Sequence, residues 1–154
     1  MHHVVPWRAL LATIAGLLAP GPAASPAAPE RIPRLVFSTE CMGVDKAGAC
    51  VWKGRVEGAV MGEVILALRQ VEDPAESAKP VWHVRARWSI AATPPRRSFA
   101  ADLEGMVDWK SGTSQLSGVI TAGWMKGAWI RQEGRFVRGD VTGTLEITPS
   151  LASR

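Results

Sequence analysis

The chain has 154 residues, 18 Lys and Arg against 14 Asp and Glu, a formal net charge of +4, and neither Tyr nor Asn. The basic residues are scattered along the sequence, which speaks against a nucleic-acid footprint; no partner of that kind is expected. Beyond the first residues His83 is the sole histidine. A histidine-rich metal site, an Asp-rich calcium loop and a phosphate-binding strand–loop–helix turn are therefore all excluded, and no cofactor is expected.

The chain opens with MHHVVPWR, followed by the eleven-residue apolar run ALLATIAGLLA and then small residues from Pro22 to Ser25. A spanning helix needs about 20 residues, so this run is too short to cross a bilayer. The pattern is that of a secretory signal peptide over residues 1–26, cleaved between Ala24 and Ala28, with a retained N-terminal anchor as the alternative. No Cys follows the run, so a lipoprotein is not indicated. The protein is thus expected to be secreted or periplasmic. Residues 27–33 form a flexible Pro-rich arm, and residues 34–150 form one domain.

Leu35–Ser38 suits a short first strand, followed by a loop holding Cys41 and Cys50. In an exported chain these two cysteines are expected to form a disulfide. A redox or metal pair is the alternative, and the spacing argues against it. Val51–Gly58 alternates, with Trp52, Gly54, Val56 and Gly58 on one face and Lys53, Arg55 and Glu57 on the other. Gly62–Val71 is apolar on both faces, so something should cover Ile65 and Ala67 from outside. Val81–Ile90 alternates again, with Trp82, Val84, Ala86, Trp88 and Ile90 on one side and His83, Arg85, Arg87 and Ser89 on the other.

After a turn at Pro94 and Pro95, the stretch Phe99–Ile147 reads as four consecutive strands. Its breaks fall at Lys110–Thr113, Ala122–Lys126 and Arg138–Gly139. Eight short antiparallel strands with short turns predict an all-β fold, an eight-stranded antiparallel β-barrel that leaves no edge strand; a two-sheet sandwich is the alternative. Glycines at positions 54, 58, 105, 118 and 143 fall on the inward side, where a small barrel bends. An outer-membrane barrel would need a tall apolar outer band that strands such as Ser98–Asp108 lack, so no membrane insertion is expected.

The wording LEGMVDWKSGTSQLSGVITAGWMKGAW, then GRF, then VTGTLEITP, over Leu103–Pro149, resembles exported bacterial members of the allene oxide cyclase and dirigent-like barrel superfamily. The likeness covers about the last third of the chain. It implies an eight-stranded calycin-like barrel, an apolar cavity that binds a small hydrophobic molecule or guides its cyclisation, and a homotrimer. The polar cavity residues of the family's enzymes, Tyr and Asn among them, have no counterpart here, so no catalytic residue is carried over.

Two functions remain in view. One is a barrel that binds a small hydrophobic molecule or serves a structural extracellular role; the other is a cyclase or isomerase that acts by positioning its substrate. Tryptophans fill cores or line cavities. Trp52, Trp82 and Trp88, beside small inward residues, are the candidate cavity walls, with Gln132 and Glu63 as polar groups to orient a ligand. Asp102 and Glu104 share one face, as an acid–base pair would, but read as ordinary outward carboxylates. His83 reads as a solvated surface histidine rather than a catalytic base.

Overall fold

In the computed structural model the described residues are 32–72 and 79–150. The leader, most of the arm and the outer part of the loop around Pro74 lie outside them. Eight strands follow one another around the ring: β1 (Arg34–Val44), β2 (Cys50–Gly58), β3 (Met61–Gln70), β4 (Val81–Thr93), β5 (Phe99–Asp108), β6 (Thr113–Gly123), β7 (Trp129–Val137) and β8 (Asp140–Thr148). Each pairs antiparallel with the next, and β8 closes on β1, with Leu35 opposite Leu145. The expected all-β barrel is the observed fold, and the sandwich is excluded. Closure gives every strand two neighbours, so no backbone edge is left to pair with another chain.

Alternation determines what the ring encloses. Leu35, Phe37, Trp52, Val56, Val64, Leu66, Leu68, Trp88, Leu103, Leu116, Ile130, Leu145 and Ile147 are all buried within one continuous core. The intervening side chains of β2, Lys53, Arg55 and Glu57, are exposed. Gly118 shows why the inward row contains glycines. A Cβ there would lie 2.8 Å from Leu103 Cα and closer still to the Asp102 carbonyl oxygen, so only glycine lets β5 and β6 cross at this curvature. Gly54, Gly105 and Gly143 meet a neighbouring strand in the same way. Gly58, exposed at the end of β2 and opposite Leu35, also approaches β1, since a Cβ there would lie 2.6 Å from the Arg34 carbonyl oxygen.

β1 is longer than the sequence suggests, because it continues past a bulge between Cys41 and Gly43. Both cysteines therefore lie in strands and not in a loop, and both thiols are free, which corrects the expected disulfide. Cys41 stands opposite Trp52, while Cys50 stands opposite Val44. They are diagonal neighbours, whose separation is about 7–8 Å, whereas a disulfide needs β-carbons about 3.5–4.5 Å apart. Asp45 shapes the intervening turn by accepting the Ala47 and Ala49 amides at 2.8 and 2.9 Å. Burial, with the nearby charges of Cys41 and Asp45, raises the Cys50 thiol pKa.

The turn after β4 is a short 3-10 turn, Pro95–Arg97, in which Ser98 Oγ accepts the Ala92 amide at 2.9 Å. On β3 the outward Ile65 keeps 43% of its surface exposed, and no described segment covers it. Gly118→Ala is expected to destabilise the barrel by about 1–3 kcal/mol through overpacking, measured as a lower denaturant midpoint with unchanged slope. Equal or higher stability would show that β5 and β6 do not approach as described.

Candidate functional site

The three tryptophans expected to form one cavity wall occupy two different environments. Trp88, flanked in register by Leu66 and Ala101, lies in mid-barrel with 0% of its surface exposed. Its ring meets Phe37 edge to face at 4.8 Å. A side chain with no accessible surface adjoins no water-sized void, so the barrel is filled around it.

Trp52 and Trp82 belong instead to the end of the barrel that carries the β1–β2, β3–β4, β5–β6 and β7–β8 turns. There a chain of rings crosses the mouth: Trp52 to Phe136 at 5.9 Å, Phe136 to Trp109 at 4.7 Å, and Trp109 to Trp82 at 5.2 Å. Trp52 donates its indole N–H to the Gly139 carbonyl at 2.7 Å, and Trp82 donates to the Lys79 carbonyl at 3.0 Å. Both rings are thereby tied to turns. Near the opposite end Phe99 meets Trp124 at 6.1 Å, with the Arg97 guanidinium 5.9 Å from the Trp124 ring centre. Trp109 and Trp124 lie outside the expected set of cavity residues. The available signal was their position, each beside a turn, where an aromatic closes the end of a small barrel.

Gln132 is inward as expected and 1% exposed, and its amide nitrogen donates to Ser114 Oγ at 2.9 Å. Gly134 makes room for that pair, since a Cβ there would come within 2.7 Å of Ser114 Oγ. The Gln132 amide oxygen and the Trp88 indole N–H, like the Gln70 amide nitrogen, have no partner among the described residues, an uncommon arrangement for buried polar atoms. Thr39 meets its need locally, donating to the Val141 carbonyl at 2.9 Å. The interior is thus apolar with a small polar group near Gln132. Glu63 is not part of it: the side chain is exposed on the outer face, in register with Arg55 and Ala91.

The outer face carries the charge. Glu104 is 2.7 Å from His83 Nε2 and accepts Arg85 Nε at 3.0 Å, while Asp102 accepts Arg87 at 3.3 Å. Asp102 and Glu104 are therefore cross-strand partners of β4 cations rather than partners of each other. The hydrogen bond from Arg85 holds the Glu104 carboxyl below its ordinary pKa against some desolvation, helped by the charges of Arg85 and His83. Asp108 is also lowered, first by the Ser111 amide that its carboxylate accepts. A concavity of about 700 Å³ lies over this region, where Arg69, Arg85 and Arg87 stand with the carboxylates of Asp45, Asp102 and Glu104. Among the described residues no group of three or more His, Cys, Asp or Glu side chains could hold a metal ion.

If Trp88 is core, Trp88→Ala costs about 3–5 kcal/mol, whereas Trp129→Ala, exposed on the outer register, stays within about 0.5 kcal/mol of the parent. Chemical denaturation separates these outcomes, and equal small losses would mean that the interior is not packed around Trp88. Glu104 supplies a pH test. Because its folded pKa is depressed, its contribution is complete above the unfolded value of about 4.3 and is lost as pH falls through the folded value. Glu104→Gln should therefore melt below the parent at pH 7, and the two thermal midpoints should converge in acid.

Comparison with protein-family models, with characterised proteins and with solved structures finds no match.

Proposed function

We propose that the protein is an exported small barrel that works without chemistry in its interior, as a structural or small-molecule-binding module of the extracellular or periplasmic space. The observation that carries this reading is the packing of Trp88. A substrate-guiding cyclase needs a substrate-sized space at the centre of the ring, and the Trp88–Phe37 pair fills that position. The reading retains the likeness of Leu103–Pro149 to the allene oxide cyclase and dirigent-like barrels as its account of ancestry, not of activity.

Export rests on the basic start, short apolar run and small residues of the first 26 positions. A soluble barrel, as opposed to one set in an outer membrane, is supported by the direction of the alternation. Apolar residues face inward, and Arg55, Arg85, Arg87, Asp102, Glu104 and Arg131 stand outward in mid-strand, where lipid would meet them. Among the described residues no helix is long and apolar enough to cross a membrane. A second or third copy covering Ile65 completes the proposal, with the N-terminal arm as the other possible cover, since no described layer buries that side chain.

Native mass spectrometry of protein purified from its own host tests all three parts together. The expected result is a mature chain beginning between Ser25 and Pro29, more than one copy per particle, and no apolar guest retained inside the barrel. A retained Met1 would overturn export. A guest of terpenoid or fatty type that survives in the parent and is lost in Trp88→Ala would overturn the filled interior and restore the cyclase.

A further inference from the structure

Cys41 and Cys50 are the two cysteines of the chain, and in the folded barrel both are free thiols. Alternation puts them on the inward side at the mouth. On β1 the buried Leu35, Phe37 and Thr39 are followed in the same row by Cys41, and on β2 Cys50 shares its row with the buried Trp52 and Val56. Cys41 stands opposite Trp52, so Cys50 is its diagonal neighbour on that face. Cys41 is exposed at the rim, while Cys50 is half-buried against the core. The pair thus lies where an ion reaches it from solvent.

The separation that rules out a disulfide suits a different bond. A zinc–thiolate bond is about 2.3 Å, so two bonds of that length in line hold their sulfurs about 4.6 Å apart, whereas a disulfide holds them at about 2.05 Å. With the two Cβ–Sγ bonds added, such a linear unit spans β-carbons about 6 to 7 Å apart. That is the reach of a diagonal cross-strand pair, whose β-carbons lie somewhat inside about 7–8 Å. Zinc itself does not fit, because it takes four ligands and among the described residues no third His, Cys, Asp or Glu completes a metal-holding group. Copper(I), soft and with a filled d shell, is satisfied by two thiolates in line, and its softness selects it for sulfur.

Charge around the pair is offset and does not decide the matter. Asp45 and Asp140, at the β1–β2 and β7–β8 connections, have Lys46, Arg69 and Arg138 near them in the chain or in charge contact. The site therefore rests on the two sulfurs. We propose that Cys41 and Cys50 form a two-coordinate thiolate site for copper(I) at the mouth of the barrel. Each thiol gives its proton to solvent as its Sγ–Cu bond forms. Two protons leave, no electron is transferred, and the loaded site carries one net negative charge. A cation between the sulfurs also relieves the opposition of the Cys41 charge to ionisation of Cys50, although burial is the larger obstacle there. The site depends on the register of β1 and β2 alone, so it stands or falls apart from the filled interior and from export.

Anaerobic titration of the reduced full chain with copper(I), in competition with the chromophoric chelator bicinchoninate, tests the site. The expected result is saturation at one copper per chain, with both thiols then protected from a thiol-alkylating reagent and no displacement of the copper by zinc(II). Cys41→Ser and Cys50→Ser should each lower copper affinity about 100-fold or more, with the far-ultraviolet circular dichroism of the barrel retained. Met42→Leu should leave the affinity unchanged, since Met42 lines the outer-face concavity with Lys53 and Glu57. Absence of saturable binding, tight binding retained in either Ser variant, or a loss in Met42→Leu equal to that in the cysteine variants would overturn the two-thiolate site. A Cys41–Cys50 disulfide in protein purified from its own host would overturn it as well, because thiols spent on each other hold no metal.

Discussion

The pairing of β8 with β1 is the constraint from which the rest follows. Once Leu35 stands opposite Leu145 the sheet has no edge, and eight strands enclose a space just wide enough for side chains to fill. Every inward position must then contribute the right volume. Trp88 supplies bulk beside Ala86 and Ala101, and glycines such as Gly118 are required where two strands approach most closely. Large and small residues therefore alternate around the interior for a geometric reason, the one that in a sandwich would be relaxed by the distance between two sheets.

A filled ring also decides where chemistry or recognition can occur. The polar atoms inside are few, and the Trp88 indole nitrogen and the Gln132 amide oxygen, two of the buried polar atoms without a partner among the described residues, sit where Trp88 itself has no exposed surface. The ends are occupied by rings, with Trp52, Phe136, Trp109 and Trp82 in series across one mouth and Trp124 near the other. What remains for contact with other molecules is the outer face, where alternation has placed nearly all of the charge.

The strands were legible in the sequence because half-buried antiparallel strands repeat every two residues, and Lys53, Arg55 and Glu57 between Trp52 and Val56 leave little ambiguity. Closure was legible more indirectly, through inward glycines that a flat sheet would not need. The site was less legible. Period two says which side of a strand Trp52, Trp82 and Trp88 share but not how far along the barrel axis each lies, so mid-core and mouth looked alike. Glu63 was misplaced because β3 is apolar on both sides, which removes the contrast that distinguishes inward from outward. The cysteines misled for a similar reason. A nine-residue separation reads as a loop, whereas the bulge after Cys41 lets β1 run on until the two thiols are diagonal rather than opposite.

The same two-sided strand explains why the outer face is uneven. Two of the outward pairs of β4 and β5 are complementary, Arg85 with Glu104 and Arg87 with Asp102. β3 presents Ile65 and Ala67 outward, and its one cation in that part of the row, Arg69, faces another cation. The nearby acid is Asp45, whose carboxyl is held below its ordinary pKa first by the Ala49 amide and in part by the charge of Arg69. β3, the least regular of the eight strands in pattern, is therefore the strand whose outward face is least explained by solvation, because Ile65 stands exposed where its neighbours on β4 and β5 present charge.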